Sequence, residues 1–212
     1  MKNKICTLIT FLALHVFCFS QTDSVAFSAG MLMEDGIYLT YSDFRKNTAI
    51  KKNQINSSES KDQLEFINKT IFKGKFSYQL RDEIIQVESK NVWGFFQNNT
   101  FYINYKEDFY RVPVFGVISY LVANVTVLNN GFYDPRFGYS TGSTNTKEIK
   151  EFLIDFYSGV MEVFTLEGAE RLLARDTNLY EEYNKLSRRN KKEQIYRFIR
   201  RYNEIHPVYF LK

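Results

Sequence analysis

The sequence predicts an α+β fold, a strand-rich antiparallel body followed by C-terminal helices. From Glu65 to Phe164, β-branched and aromatic residues are broken by clusters of Asn, Gly and Pro, the pattern of successive strands. After Thr165 the apolar residues recur at helical spacing. Within the strand-rich stretch, Val112 to Tyr133 carries no charge but is interrupted by Pro113, Gly116, Ser119, Asn124 and Thr126, which suits buried strands better than a lipid-facing helix. With 212 residues, 44% apolar and 25% charged, the chain sits in the globular range.

The chain opens with Met1-Lys2-Asn3-Lys4 and an apolar run from Ile5 to Phe19, too short to span a bilayer. That shape predicts a signal peptide over 1–20, cleaved between Ser20 and Gln21. Lipoprotein processing at Cys18 is the rival, but the bulky Phe17 stands where a small residue is wanted. Residues 21–212 then read as a single domain, strand-rich over 36–164 and helical over 165–205, with no transmembrane helix in the mature chain. Gln21 to Asp35 reads as a loose lead-in, Ile37–Tyr41 as a first strand, Ser42-Asp43-Phe44 as a turn or helix start, and Arg45 to Lys61 as a polar surface loop.

Two hairpins follow. Asn98-Asn99 supplies residues that tolerate positive φ, so Phe96 is expected opposite Phe101 and Phe95 opposite Tyr102. Both faces of this hairpin are aromatic: Phe96, Phe101 and Ile103 on one, Trp93, Phe95 and Tyr102 on the other. The second face is either core or an exposed platform that stacks on sugars or grips a peptide. The second hairpin, turning at Ser158-Gly159, is expected to pair Phe156 with Met161 and Ile154 with Val163. That register sets Asp155 against Glu162, two like charges that need an Arg, a cation or full exposure. No further metal ligands lie at useful spacing, so an Arg or water is the favoured relief and no metal is assigned.

Three helices close the chain. Thr165 is placed to cap one bearing Leu166, Ala169, Leu172 and Leu173, and Asp176 to cap another bearing Leu179, Tyr183 and Leu186. Asn190 with Glu193 resembles a capping box for a third, bearing Ile195, Phe198, Ile199 and Tyr202 until His206-Pro207 stops it. The tail Val208 to Leu211 is apolar enough to return as a strand or plug.

Composition narrows the chemistry. Cys6, Cys18 and His15 all lie in the predicted leader, so the mature chain would keep no thiol and only His206. Disulfides, cysteine nucleophiles, thiolate metal sites and an all-histidine zinc site are then excluded. The ten glycines form no phosphate-cradling loop, and no cofactor is implied. Gly138-Tyr139-Ser140-Thr141-Gly142 fits the G-x-S-x-G pattern of serine hydrolases, and Ser140, Asp155 and His206 would follow in a workable triad order. The context is an extended polar loop rather than strand, turn and helix. A carboxylate pair distant in sequence is the other hydrolytic route, and nothing selects one.

The sharpest charge asymmetry is Lys185 to Arg201, where Lys185, Arg188, Arg189, Lys191, Lys192, Arg197, Arg200 and Arg201 face a single acid, Glu193. Arg197, Arg200 and Arg201 fall opposite the apolar stripe, as on a solvated outer face. The functional alternative is contact with an anionic surface outside the cytoplasm. No nucleic-acid partner is expected from the compartment.

Asp35-Gly36-Ile37-Tyr38-Leu39-Thr40-Tyr41-Ser42-Asp43-Phe44-Arg45-Lys46-Asn47 resembles the opening of uncharacterised exported proteins common in Bacteroidetes-type Gram-negative bacteria. Val92-Trp93-Gly94-Phe95, the hairpin from Asp155 to Glu162 and Tyr202-Asn203-Glu204-Ile205-His206-Pro207 are similar to their later segments. The resemblance implies the periplasm or cell surface and no catalytic residue. In such a bacterium Asp23-Ser24-Val25 resembles an O-glycosylation acceptor, and the Asn-x-Thr triplets at Asn68, Asn98 and Asn124 carry no meaning. The expected function is a non-enzymatic, exported envelope protein that binds a glycan, peptide or anionic surface, or associates structurally; the alternative is a secreted hydrolase.

Overall fold

Asn98 and Asn99 both take positive φ, 50° and 56°, and close the hairpin around which the body is built. The structure, a computed structural model, describes residues 24–27, 33–129, 133–136, 138–140 and 144–211; the predicted leader lies outside them. In chain order the elements are β1 (Ser24–Phe27), β2 (Gly36–Tyr38), α1 (Tyr41–Arg45), β3 (Ile50–Lys51), β4 (Ile55–Asn56), α2 (Phe66–Phe72), β5 (Lys75–Leu80), β6 (Glu83–Glu88), β7 (Gly94–Gln97), β8 (Thr100–Tyr105) and β9 (Asp108–Arg111). Then come the long strand β10 (Ile118–Asn129), β11 (Tyr133–Asp134), β12 (Tyr139–Ser140), the equally long β13 (Thr144–Asp155), β14 (Met161–Val163), α3 (Leu166–Leu173), α4 (Thr177–Asn184), α5 (Arg188–Ile205) and β15 (Val208–Leu211). The fold is α+β, with antiparallel sheets and most helices at the C-terminal end.

A five-stranded sheet runs in the order β3-β2-β7-β8-β9, and Phe95 pairs with Tyr102 and Phe96 with Phe101, as the Asn-Asn turn requires. Its two faces feed two separate apolar clusters. Tyr38, Phe96, Phe101 and Ile103 join Leu121, Phe152 and Leu153 of the β10-β13-β14 sheet and the inner sides of α3 to α5. Ile37 and Phe95 join Phe66, Ile67 and Ile71 of α2 and Phe76 and Tyr78 of the β4-β5-β6 sheet. An aromatic hairpin with no polar side is therefore buried on both sides.

Four expectations along the body are corrected. Ordered chain precedes Gly36, because β1 pairs antiparallel with the C-terminal β15; a four-residue strand whose partner lies at the far end of the chain leaves no local pattern. The polar segment from Arg45 to Lys61 contains β3 and β4, anchored by the buried Ile50 and Ile55. The strand-rich region contains the helix α2, whose buried Phe66, Ile67, Thr70 and Ile71 share one helical face. The second hairpin pairs Phe152 with Val163, Leu153 with Glu162 and Ile154 with Met161. Its turn is wider than two residues: the Gly159 N–H bonds Asp155 O at 2.8 Å and the Asp155 N–H bonds Val160 O at 3.0 Å. Phe156 leaves the ladder to pack on Phe44 and Phe210, and its carbonyl accepts from Tyr41 and Arg45. Gly159, at φ 71°, lies where an added Cβ would meet the Tyr41 ring.

The helices start as their caps dictate, with Thr165 accepting from the Gly168 N–H and Asp176 from the Leu179 N–H. The third begins earlier than the Asn190-Glu193 pattern indicates, because Ser187 is its cap and accepts from the Asn190 N–H. Its C-terminal half is clamped to the body by Asn203. The Ile118 N–H donates to Asn203 Oδ1 at 2.9 Å, and Asn203 Nδ2 donates to Ile118 O at 2.8 Å. Gly116 makes room for that approach, since a Cβ there would collide with the Asn203 amide. Among the described residues, no helix is long and apolar enough to cross a membrane.

Candidate functional site

The cations of α5 divide by what they face. The buried stripe Ile195, Ile199, Tyr202 continues toward the helix start at the same alternation of three and four, onto Lys192 and then Arg188. These two side chains therefore lie in line with the core-facing residues, one turn beyond the point where the core ends. There they line a groove of about 440 Å³ with Phe164, Thr165, Leu166, Glu167, Ile195 and Tyr196.

The groove wall is aromatic. Tyr196 stacks on Phe164 with ring centroids 5.5 Å apart and meets Tyr120 edge-on at 5.0 Å. Its hydroxyl donates to Glu151 Oε2 at 2.8 Å. Burial first, then the Glu151 carboxylate, push the Tyr196 phenol far above its ordinary range, so it stays neutral. The opposite wall is the start of α3, whose positive dipole end lies beside the groove.

Other cations of the basic segment have acids at hand. Arg189 meets Glu193 at 2.9 Å, Arg201 meets Glu182 at 2.6 Å, and Lys191 reaches Glu170 at 3.4 Å and Asn184 at 2.6 Å. Arg197 and Arg200 are exposed on the far side of the helix. Among the described residues, Arg188 and Lys192 form no ion pair. Placed four residues apart on one helix face, they repel each other by a few tenths of a kcal/mol.

Of the three hydrolytic candidates, Asp155 and His206 are each held by another partner. Asp155 takes a bidentate pair from Arg175, at 2.7 and 2.8 Å, and accepts from Ser158 Oγ at 2.7 Å and the Tyr157 N–H at 3.2 Å. Burial raises its pKa, but these bonds outweigh it and hold the carboxyl at about 2. His206 Nε2 meets Asp176 Oδ2 at 2.8 Å, which ties the end of α5 to the cap of α4. Ser140 ends the short strand β12, paired with Tyr133, and the next described element is the strand β13 rather than a helix. Asp155 thus faces Arg175 and His206 faces Asp176, and Ser140 lacks the strand-turn-helix context of a hydrolase nucleophile.

The aromatic platform is also corrected. Phe95 is fully buried and stacks on Tyr102 at 4.8 Å, within the cluster around α2. Trp93 packs on the other cluster, 4.7 Å from Phe44 and 5.6 Å from Tyr41. Trp93 stands one residue before the strand, and its ring packs with Phe44, Tyr41 and Phe101 rather than with Phe95.

Asp155 and Glu162 are not opposite each other; each has its own arginine, Arg175 and Arg171 respectively. Among the described residues, no group of three His, Cys, Asp or Glu is placed to hold a metal ion. Sequence reasoning missed Phe164, Leu166 and Tyr196 as groove residues. The signal that points there is the stripe itself, which, counted back from Tyr202, lands on two cations. Comparison with protein-family models, curated proteins and solved structures finds no match, so the groove is read from its own chemistry.

Proposed function

We propose that this chain is an exported, non-enzymatic protein of the cell envelope that works by binding, with the cationic start of α5 as its contact surface for anionic partners. The observation that carries the reading is the position of Arg188 and Lys192, in register with the core stripe and without an ion pair among the described residues. Cations that serve only solubility sit opposite the apolar face, as Arg197 and Arg200 do. Export rests on the charged and apolar opening of the chain and on its resemblance to exported bacterial proteins. Hydrolysis draws no support from Asp155 and His206, which are each committed to another partner.

Co-sedimentation with phosphatidylglycerol vesicles, against phosphatidylcholine vesicles, tests the surface. Binding is expected only to the anionic vesicles and should fall as salt rises. Reversing both charges, Arg188→Glu with Lys192→Glu, should weaken it by more than about tenfold, since each cation near an anionic membrane contributes on the order of 1 kcal/mol. Equal binding to both vesicle types, or binding that ignores the double reversal, would overturn the reading.

A further inference from the structure

We infer that the groove between α5 and the start of α3 is a binding site for a small amphiphilic anion, a carboxylate or phosphate on an apolar body the size of an aromatic ring or short acyl chain. The inference rests on the proposed anionic contact surface and names what its groove takes. Its volume, about 440 Å³, lies within the range of small-ligand pockets.

The walls have two chemistries in one line. At one end the exposed Arg188 and Lys192 offer a planar fork and a point charge, neither held in an ion pair among the described residues, which together suit an oxyanion. One turn further along the same stripe, Ile195 is buried and Tyr196 lies flat against Phe164, with Leu166 across from them. The Tyr196 hydroxyl is already bound to Glu151, so the ring adds apolar area without an unmet donor. A bare anion would leave that apolar wall wet, and a neutral hydrocarbon would leave the two cations repelling each other. An amphiphilic anion satisfies both. Glu167, at the start of α3, is the acid on the groove lining, and like-charge repulsion favours an anionic head at the α5 end.

Titration of the full chain with octanoate below its micelle concentration, followed by calorimetry and by amide NMR, tests this. Octanol and acetate serve as the neutral and the bare-anion controls. Saturable octanoate binding is expected, with shifts at α5 and the start of α3, and both controls at least about tenfold weaker. Arg188→Gln with Lys192→Gln should weaken octanoate by about tenfold or more, and Leu166→Gln, on the half-exposed opposite wall, should weaken octanoate but not acetate. Circular dichroism confirms that each variant is folded. Octanol or acetate binding as tightly as octanoate, or no octanoate binding, overturns the inference. If vesicles bind and octanoate does not, the groove site falls while the surface reading stands; if octanoate binds and vesicles do not, the reverse holds. Where both bind, octanoate that displaces vesicles identifies a lipid-borne anion as the source. Octanoate that leaves vesicles bound identifies a free amphiphile.

Discussion

The two halves of α5 are built from one helical stripe yet do opposite work. From Ile195 to Tyr202 the stripe is apolar, buried on the β10-β13 sheet, and Asn203 locks it there through both hydrogen bonds of Ile118. From Arg188 to Lys192 the same stripe is cationic and meets a groove instead of a core. Arg189 and Lys191 of that turn are paired with Glu193 and Glu170, whereas Arg188 and Lys192 form no ion pair among the described residues and repel each other in the position of core residues. A second contrast runs beside it. Arg175 and Arg171 each bind one acid of the second hairpin, but Asp155 is only 9% exposed while Glu162 is 33% exposed. Burial and multiple bonds, not the count of ion pairs, should decide which one matters.

Breaking the packed half should cost most. Phe198→Ala removes a buried ring that meets Tyr183 edge-on at 5.1 Å and should destabilise the fold by about 3–5 kcal/mol, read from the urea midpoint. A loss near zero would mean that the second half of α5 is not core.

Arg175→Met comes next. It leaves Asp155 buried without its bidentate partner and should cost about 2 kcal/mol at neutral pH. Because the folded Asp155 carboxyl is depressed to about 2, below its unfolded value, the stabilisation is complete above that unfolded value, about 4. It fades as pH falls toward 2. The gap between wild type and Arg175→Met should therefore close in acid, and a gap unchanged at pH 2 would show that the pair is not its origin.

Asn203→Ala and Gly116→Ala address one clamp from both sides. Each should cost about 1–2 kcal/mol, the first by orphaning the Ile118 backbone groups and the second by displacing the amide. The double variant should cost clearly less than the sum, since both lose the same bonds. Additive losses would separate them.

Arg171→Ala should fall below about 1 kcal/mol, as exposed pairs do. Smallest of all, Arg188→Gln with Lys192→Gln should leave the melting midpoint unchanged or raise it slightly by relieving repulsion worth a few tenths of a kcal/mol. A large loss of stability there would place these cations in the folding half after all.

Much of the frame was legible in the residues. The Asn98-Asn99 turn, the Thr165 and Asp176 caps, and the helix stop at His206-Pro207 depend on groups a few positions apart, and local chemistry settles such features before any packing occurs. The α+β layout followed from the change in apolar period after Thr165. What escaped depends on partners distant in the chain. Nothing near Ser24 announces a strand whose mate is Val208 to Leu211. The register of the second hairpin was set by Phe156 reaching Phe44 and Phe210, which widened the turn and separated Asp155 from Glu162. Whether the face of Phe95 and Tyr102 was core or platform was decided by α2, a helix that its own β-branched composition disguised. The charge of Arg188 and Lys192 was plain in the sequence, but a helical stripe does not say how far its core extends. Only the tertiary structure, which sets Phe164 and Leu166 beside Arg188 and Lys192, turned two cations in an apolar register into a candidate site.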